Sequence, residues 1–255
     1  MDKKEILALA LAQSAADMHC APEDFLRGAN VLVESVIGSG ARSYYHEPIA
    51  ANFVSYGYNI VASVKEPYRE IVERYIDRYE YYHCFETPNL HVLEAALEPL
   101  GQKVCFMAEY WLPEPDRLRS LPCAYEMRIL YPEDFAALYL PAWSNALCAG
   151  RRHLDRLAVG AYDGDKLVGL AGCSADCETM WQIGIDVLPA YRRQGIAKAL
   201  TSRLAVECLE RDKVPFYCCA WSNIASARNA FAAGFAPAWA EMTVKPAAVV
   251  DEMNR

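Results

Sequence analysis

Long apolar runs are missing from this chain of 255 residues. The N-terminal run Ile6–Ala12 follows Lys3 and Lys4, as in a signal peptide, but Glu5 precedes it and Asp17 comes soon after. A membrane span needs about 18 consecutive apolar residues, and a signal peptide needs an uninterrupted apolar core. We therefore predict an amphipathic first helix and no membrane partner.

An excess of basic residues is also missing. The chain has 25 Lys and Arg against 33 Asp and Glu, which gives a formal net charge of −8. Nucleic-acid-binding domains carry basic patches, so the balance excludes nucleic acid as the expected partner. The acidic surface mildly favours cationic small molecules as substrates, although such a surface also simply keeps a protein soluble.

Metal-binding cysteine patterns are lacking, although the chain has ten cysteines. No Cys-x2-Cys pair occurs, and Cys173 and Cys177, which flank a predicted turn, have no histidine or second pair nearby. Half of the cysteines lie in apolar runs, where free cysteine behaves as a small hydrophobic residue. These are Cys84, Cys105, Cys208, Cys218 and Cys219. We expect no metal site, and reduced thiols in a cytoplasmic protein.

A proline-rich segment divides the chain. Residues 113–123 include Pro113, Pro115 and Pro122 among charged residues, which is typical of a linker. The predicted domains are residues 1–112 and 124–255. In the second domain we predict the order β-α-α-β-β-β-α-β-α-β, with helices from Pro132 and over Asn145–Leu154. This order indicates an α/β fold, an α+β mixed sheet with helices packed on it.

One strand–loop–helix segment carries the chemistry. It runs from Ile185 through a basic loop, Arg192 to Ala197, into a long helix. The first backbone N–H groups of a helix lack partners within the helix, and the helix dipole is positive there. Gly195 lets the backbone approach a ligand closely, and the two arginines add positive charge. The pattern predicts a phosphate site.

The same residues resemble a known family. Arg192-x-x-Gly195-x-Ala197 after a Val-x-Pro-x-Tyr strand end resembles the acetyl-CoA signature of the GNAT acyltransferases. Trp221–Phe235 resembles the second CoA element of that family, an asparagine-led helix closing in Gly-Phe. The resemblance covers Tyr125 to about Val244 and implies a GNAT fold in the C-terminal half, with acetyl-CoA as acyl donor.

The resemblance also implies site residues. The backbone from Ile185 to Val187 would bind the pantetheine arm and acyl carbonyl. Asn223 and Ser226 would contact the arm from the other side, unless they only cap a helix. The pyrophosphate would bind to the loop residues Arg192, Arg193, Gln194, Gly195, Ile196 and Ala197.

The chain departs from the family in its proton-transfer groups. Many members carry a Glu or His base at positions that correspond to Trp181 and Ile183, and a Tyr acid at the position of Ala230. Glu178, Glu241 or a water relay remain as sources of a base. Glu178 lies beside the strand but is equally a solvated turn residue, so the sequence assigns no catalytic residue.

The N-terminal half resembles a degenerate repeat of the C-terminal sequence pattern. Tyr58–Val64 parallels Trp181–Val187, and Cys84-x4-Asn89 parallels Cys218-x4-Asn223. Coincidence is the alternative. The alignment predicts a degenerate GNAT-like N-terminal domain, with a strand at Cys84. Val72 and Arg74 replace the two small loop residues there, so this copy should bind no CoA.

Together these patterns predict an acetyl-CoA-dependent N-acyltransferase that acts on the amine of a small molecule or peptide. The alternatives are a non-catalytic acyl-CoA-binding or sensing protein and a plain interaction module. The sequence does not name the acceptor, distinguish acetyl from longer acyl groups, or indicate the oligomeric state.

Overall fold

The computed structural model describes residues 1–255, which form six α-helices and ten strands of mixed parallel and antiparallel pairing. The helices are α1 (Lys3–Met18), α2 (Arg69–Arg78), α3 (Thr87–Leu97), α4 (Ile196–Leu209), α5 (Ile224–Ala232) and α6 (Ala247–Met253). The strands are β1 (Val31–Glu34), β2 (Ala51–Ser55), β3 (Val61–Val64), β4 (Gln102–Pro113), β5 (Glu126–Leu130), β6 (Asp155–Asp163), β7 (Lys166–Ser174), β8 (Met180–Val187), β9 (Val214–Cys219) and β10 (Phe235–Pro246). None of the helices combines the length and apolarity that crossing a membrane requires.

The chain divides into two compact units. The first unit contains residues 1–10 and 111–237, and the second unit contains residues 11–110 and 238–255. The sequence had placed residues 238–255 with the C-terminal domain. They group with the second unit because β10 pairs antiparallel with β2, from Ala240 opposite Ser55 to Val244 opposite Ala51.

In the first unit the strands lie in the order β9-β8-β7-β6-β5, and β6 and β7 form the predicted hairpin. β6 and β7 pair antiparallel and are joined at Gly164, whose φ of 60° suits the tight turn predicted there. α4 packs on these strands through an apolar stripe. Its fully buried residues include Ile196, Leu200, Leu204 and Cys208.

Two helices predicted in the first unit are wrong. Residues 132–137 form turns and a bend, and the region of Asn145–Leu154 contains only a 3₁₀ segment, Ala149–Leu154. The backbone N–H groups of Asn145 and Ala146 donate to the Asp186 carboxylate on β8, at 2.8 and 3.0 Å. A Cβ at Gly184 would lie 1.8 Å from the Asn145 carbonyl oxygen. Contact with the strands therefore determines this backbone, at the cost of helical hydrogen bonds.

The segment predicted as a linker is attached to the first unit. The Glu114 N–H donates to the Gly234 carbonyl at 2.9 Å, and the Arg117 guanidinium lies 4.2 Å from the centre of the Phe231 ring. Leu121 N–H donates to Ser202 Oγ at 3.1 Å. These contacts hold the proline-rich segment against α4 and α5.

In the second unit the strand order is β1-β3-β2-β10-β4, and α2 and α3 cover one apolar face. The predicted strand at Cys84 is wrong, because Tyr81–Phe85 forms a 3₁₀ turn. The Cys84 carbonyl accepts a hydrogen bond from the Tyr75 hydroxyl at 2.8 Å instead of from a neighbouring strand. Residues 58–113 thus contain strand, helix, helix and strand, without the middle strand of the proposed copy.

A buried charged cluster lies inside the second unit. Arg42, on an irregular segment, forms an ion pair with Asp17 of α1, and both side chains are at most 3% exposed. Glu241 of β10 is also buried, and it accepts hydrogen bonds from the Tyr45 hydroxyl at 2.5 Å and from Asn52 Nδ2 at 3.1 Å. This cluster holds the irregular segment that carries Arg42 and Tyr45 against α1 and β10.

Glu241 is expected to make stability depend on pH. Burial raises the pKa of its carboxyl above the ordinary value, and this effect outweighs the hydrogen bond from Tyr45 and the nearby Arg42 charge. A raised folded-state pKa means that its stabilising contribution is full below the unfolded pKa of about 4.3 and is lost as pH rises through the folded value. Glu241→Gln, which stays neutral, should therefore gain stability relative to wild type between pH 5 and pH 8.

Thermal melts of both proteins at each pH measure that change, because contributions from titrating groups that do not interact with Glu241 cancel in the difference. If the melting temperatures of Glu241→Gln and wild type differ by the same amount at pH 5 and pH 8, this prediction is wrong.

Candidate functional site

A cleft of about 280 Å³ opens in the first unit between the start of α4 and one face of α5. The preceding loop, the first turn of α4 and one face of α5 line it, together with the end of β8. The lining residues are Val187, Tyr191, Arg192, Arg193, Gly195, Ile196, Ala197, Lys198, Ala225, Arg228, Asn229 and Ala232. Five of the six loop residues named by the sequence are thus brought together here.

The loop backbone has the conformation that the motif requires. Gly195 is the N-cap of α4 with a φ of 81°, and no side chain caps this helix end. Arg193 also has a positive φ, 63°, which is uncommon for a residue with a side chain. Gln194 is the loop residue that does not line the cleft. Its side-chain oxygen accepts a hydrogen bond from the Tyr125 hydroxyl at 2.7 Å. The first N–H groups of α4 therefore remain open to a ligand.

Positive charge surrounds these N–H groups. Arg192, Arg193, Lys198 and Arg228 line the cleft, and no carboxylate lies within salt-bridge distance of any of the four. The Arg192 side chain is oriented by donating from Nε to the Val187 carbonyl at 3.1 Å. Four cations at an uncapped helix start suit a ligand with several phosphate charges.

Next to this cleft, two parallel strands separate. β8 and β9 pair only from Met180 opposite Val214 to Ile183 opposite Tyr217. β8 continues to Val187, and its other edge remains paired with β7. The edge of residues 184–187 that faces β9 thus has no strand partner, and its N–H and C=O groups can bind an extended ligand. This is the stretch whose backbone the sequence assigned to the pantetheine arm.

The start of α5 approaches the gap from the other side. Asn223 caps the helix, since its Oδ1 accepts from the Ser226 N–H at 3.1 Å. The Ser226 hydroxyl lies 2.7 Å from the Tyr217 hydroxyl. Sequence reasoning missed Tyr217 and the cleft residue Asn229, because the strand run around Tyr217 looked like ordinary core. The helical spacing of Ser226 and Asn229 was the one signal that they share a face.

Glu178 lies at the other end of β8 from the basic loop. It lines a separate cleft of about 430 Å³ with Arg156, Cys177, Trp181 and Lys213, among others. Glu178 precedes β8, and the three strand steps from Met180 to Ile183, where the gap begins, cover about 10 Å. Ile183 and Ala230 are both buried, at 3% and 0% exposure, so neither places a polar group in the gap.

Comparison with known proteins identifies a family for about half of the chain. Residues 114–238 match the profile of the GNAT acetyltransferase family. No match was found among curated proteins.

Several solved structures match part of the chain at low identity. A GNAT-family protein from Novosphingobium aromaticivorans is 17% identical with a TM-score of 0.46, covering 56% of this chain and 66% of its own. A tandem GNAT protein from the clavulanic acid biosynthesis pathway is 16% identical with a TM-score of 0.43, covering 64% and 59%. A Salmonella typhimurium protein solved with acetyl-CoA is 18% identical with a TM-score of 0.35, covering 49% and 94%. Through residues 114–238, the chain belongs to the GNAT acetyltransferase family.

Proposed function

We propose that this protein is an N-acyltransferase that transfers the acetyl group of acetyl-CoA to the amine of a small molecule or peptide. The observation that carries the proposal is the four-cation cleft at the uncapped start of α4, continuous along Val187 with the unpaired edge of β8. Such a site offers charge to a pyrophosphate at one end and backbone hydrogen bonds to an extended amide-containing arm at the other.

Each group of residues has a distinct task in this proposal. The loop Arg192–Ala197 holds the pyrophosphate, with Lys198 and Arg228 adding charge, and the backbone of residues 185–187 binds the arm. The donor supplies an activated thioester carbonyl, and backbone N–H groups beside it stabilise the negative charge that develops on its oxygen. Asn223 acts by fixing the start of α5.

No side chain of the gap is assigned as a base. The buried Ile183 and Ala230 leave the amine to lose its proton to water, so the rate should rise with pH toward the pKa of the amine itself. Glu178 receives no role, since it precedes β8 and lines a cleft other than the one beside the basic loop. The ten free cysteines support a reducing, cytoplasmic location.

The same two apolar residues favour one alternative, a protein that binds acyl-CoA as a sensor without turnover. A panel of amines incubated with acetyl-CoA and analysed by mass spectrometry separates the two. We expect a product heavier by one acetyl group with at least one class of amine, such as amino acids, polyamines, aminoglycosides or peptide N-termini. Tight binding of acetyl-CoA with no acetylated product across the panel would favour the sensor, and the absence of binding would reject both.

A further inference from the structure

The cleft that Glu178 lines lies entirely within the first unit and is separate from the cleft beside the basic loop. Its volume of about 430 Å³ is in the range of small-molecule pockets, about 300–1,000 Å³. Arg156 comes from the start of β6, Glu178 from the turn between β7 and β8, and Lys213 from the turn between α4 and β9. Segments distant in the sequence thus bring three charged side chains to one cleft.

Opposite charges are held apart in this cleft. Glu178 carries a carboxylate, whereas Arg156 and Lys213 are cations. No salt bridge joins any of the three to another or to any other residue. All three are at least partly exposed, so a ligand can reach them. A small molecule that carries both an anionic and a cationic group can therefore form charge-assisted hydrogen bonds with both kinds of side chain at once.

One wall of the cleft is apolar. Trp181 of β8 packs in part against the core beneath α4, and it stays partly exposed where it lines the cleft. Ala175 lines the cleft as well, and its small side chain leaves the space beside the indole open. An indole face binds aromatic groups and also attracts cations. The cleft thus presents an aromatic surface next to the separated charges.

We propose that this cleft binds a free α-amino acid with an aromatic side chain. The α-carboxylate binds Arg156 and Lys213, the α-ammonium binds Glu178, and the aromatic ring packs on Trp181. A plain amine has no group for the two cations, and a plain carboxylate lies beside the Glu178 charge without an ammonium to offset it. The zwitterion satisfies both.

This site is distinct from the one proposed for acetyl-CoA. Trp181 pairs with Pro215 in the stretch where β8 and β9 are still joined, beyond the end of the gap at Ile183. An amino acid bound here lies in a cleft other than the one beside the basic loop. The inference therefore does not rest on the proposed function.

The test measures ligand binding to the full chain by calorimetry at pH 7 without acetyl-CoA. The ligands are phenylalanine, 3-phenylpropionate, which lacks the ammonium, and phenethylamine, which lacks the carboxylate. Wild type is expected to bind phenylalanine about three- to thirtyfold more tightly than either analogue. The range reflects a charge-assisted hydrogen bond that water still partly screens.

Two substitutions separate the contacts. Glu178→Gln should weaken phenylalanine binding about three- to thirtyfold without weakening 3-phenylpropionate, which has no ammonium. Lys213→Met keeps most of the aliphatic stem and should weaken both ligands that carry a carboxylate. Glu133→Gln is the matched control, because it removes an exposed carboxylate from a turn elsewhere in the first unit, and it should leave phenylalanine binding at the wild-type value.

Each outcome bears on the inference. Failure of wild type to bind phenylalanine overturns it, and so does binding of 3-phenylpropionate or phenethylamine as tight as that of phenylalanine. Equal affinity of phenylalanine for Glu178→Gln and wild type also overturns it, because the amino acid would then be bound elsewhere. The comparison of the three ligands needs only wild type, so a variant that fails to fold does not remove the test. None of these results changes the expectation of acetyl-CoA binding at the basic loop.

Discussion

Replacing Gly195 by aspartate is expected to weaken acetyl-CoA binding about thirty- to a thousandfold, equivalent to about 2–4 kcal/mol. The residue caps α4 in a left-handed conformation, with φ of 81°, at the point where the open N–H groups and the four cations meet. A carboxylate there would repel the pyrophosphate and form ion pairs with the arginines that should bind it. Calorimetric titration with acetyl-CoA measures the loss.

Gly195→Asn is the matched control, because it has the same shape and the same backbone strain without the charge. The aspartate variant should bind more weakly than the asparagine variant, and the difference between them should shrink as salt is raised. Gly101→Asp places a carboxylate at another left-handed glycine, with φ of 67° and open space around it, and should leave affinity unchanged. Equal affinities of wild type and Gly195→Asp would rule out phosphate binding at this loop.

Replacing Arg42 by methionine is expected to destabilise the second unit by about 3–5 kcal/mol. The change keeps most of the side-chain volume but leaves the Asp17 carboxylate buried without its cation. Asp17 would retain the Gln13 Nε2 donor at 3.0 Å and the backbone N–H of residue 42 at 2.7 Å, which do not neutralise its charge. Urea unfolding followed by circular dichroism measures the shift in midpoint.

Arg74→Met provides the control, because Arg74 forms its ion pair with Glu70 at 3.7 Å while both side chains are at least 70% exposed. Exposed ion pairs contribute about 0–1 kcal/mol to stability, so this variant should unfold at a urea concentration close to that of wild type. Similar small losses in both variants would show that the Arg42–Asp17 pair does not anchor the irregular segment.

The local elements of the first unit could be predicted from neighbouring residues alone. The β6–β7 hairpin follows from Asp163-Gly164-Asp165 between alternating apolar residues, and β8 has the predicted bounds, Met180–Val187. α4 begins one residue after Gly195, because the motif contains its own start signal. Such features depend on turn chemistry and side-chain periodicity over a few residues, which a single sequence displays.

Other features needed the tertiary structure, because they depend on what distant segments contact. The sequence around Asn145 and Ala146 predicts a helix. In the structure, the hydrogen bond to Asp186 and the close approach to Gly184 hold this backbone against β8 instead. Cys84 sits in a strand-like run, yet its carbonyl pairs with Tyr75 and no strand forms. A short apolar run is compatible with several structures, and its long-range partners decide which one forms.

By itself, then, the sequence determined the loop of residues 192–197, for which we propose phosphate binding, since the glycine, the two arginines and the helix start lie within a few consecutive residues. Only the tertiary structure decided where the strands separate, because the end of pairing at Ile183 and Tyr217 depends on two segments more than thirty residues apart. It likewise brought Tyr217 to Ser226 and placed Glu178 at the far end of β8. A binding motif formed by adjacent residues is visible in the sequence, whereas groups from separate strands and helices acquire their proximity only through packing.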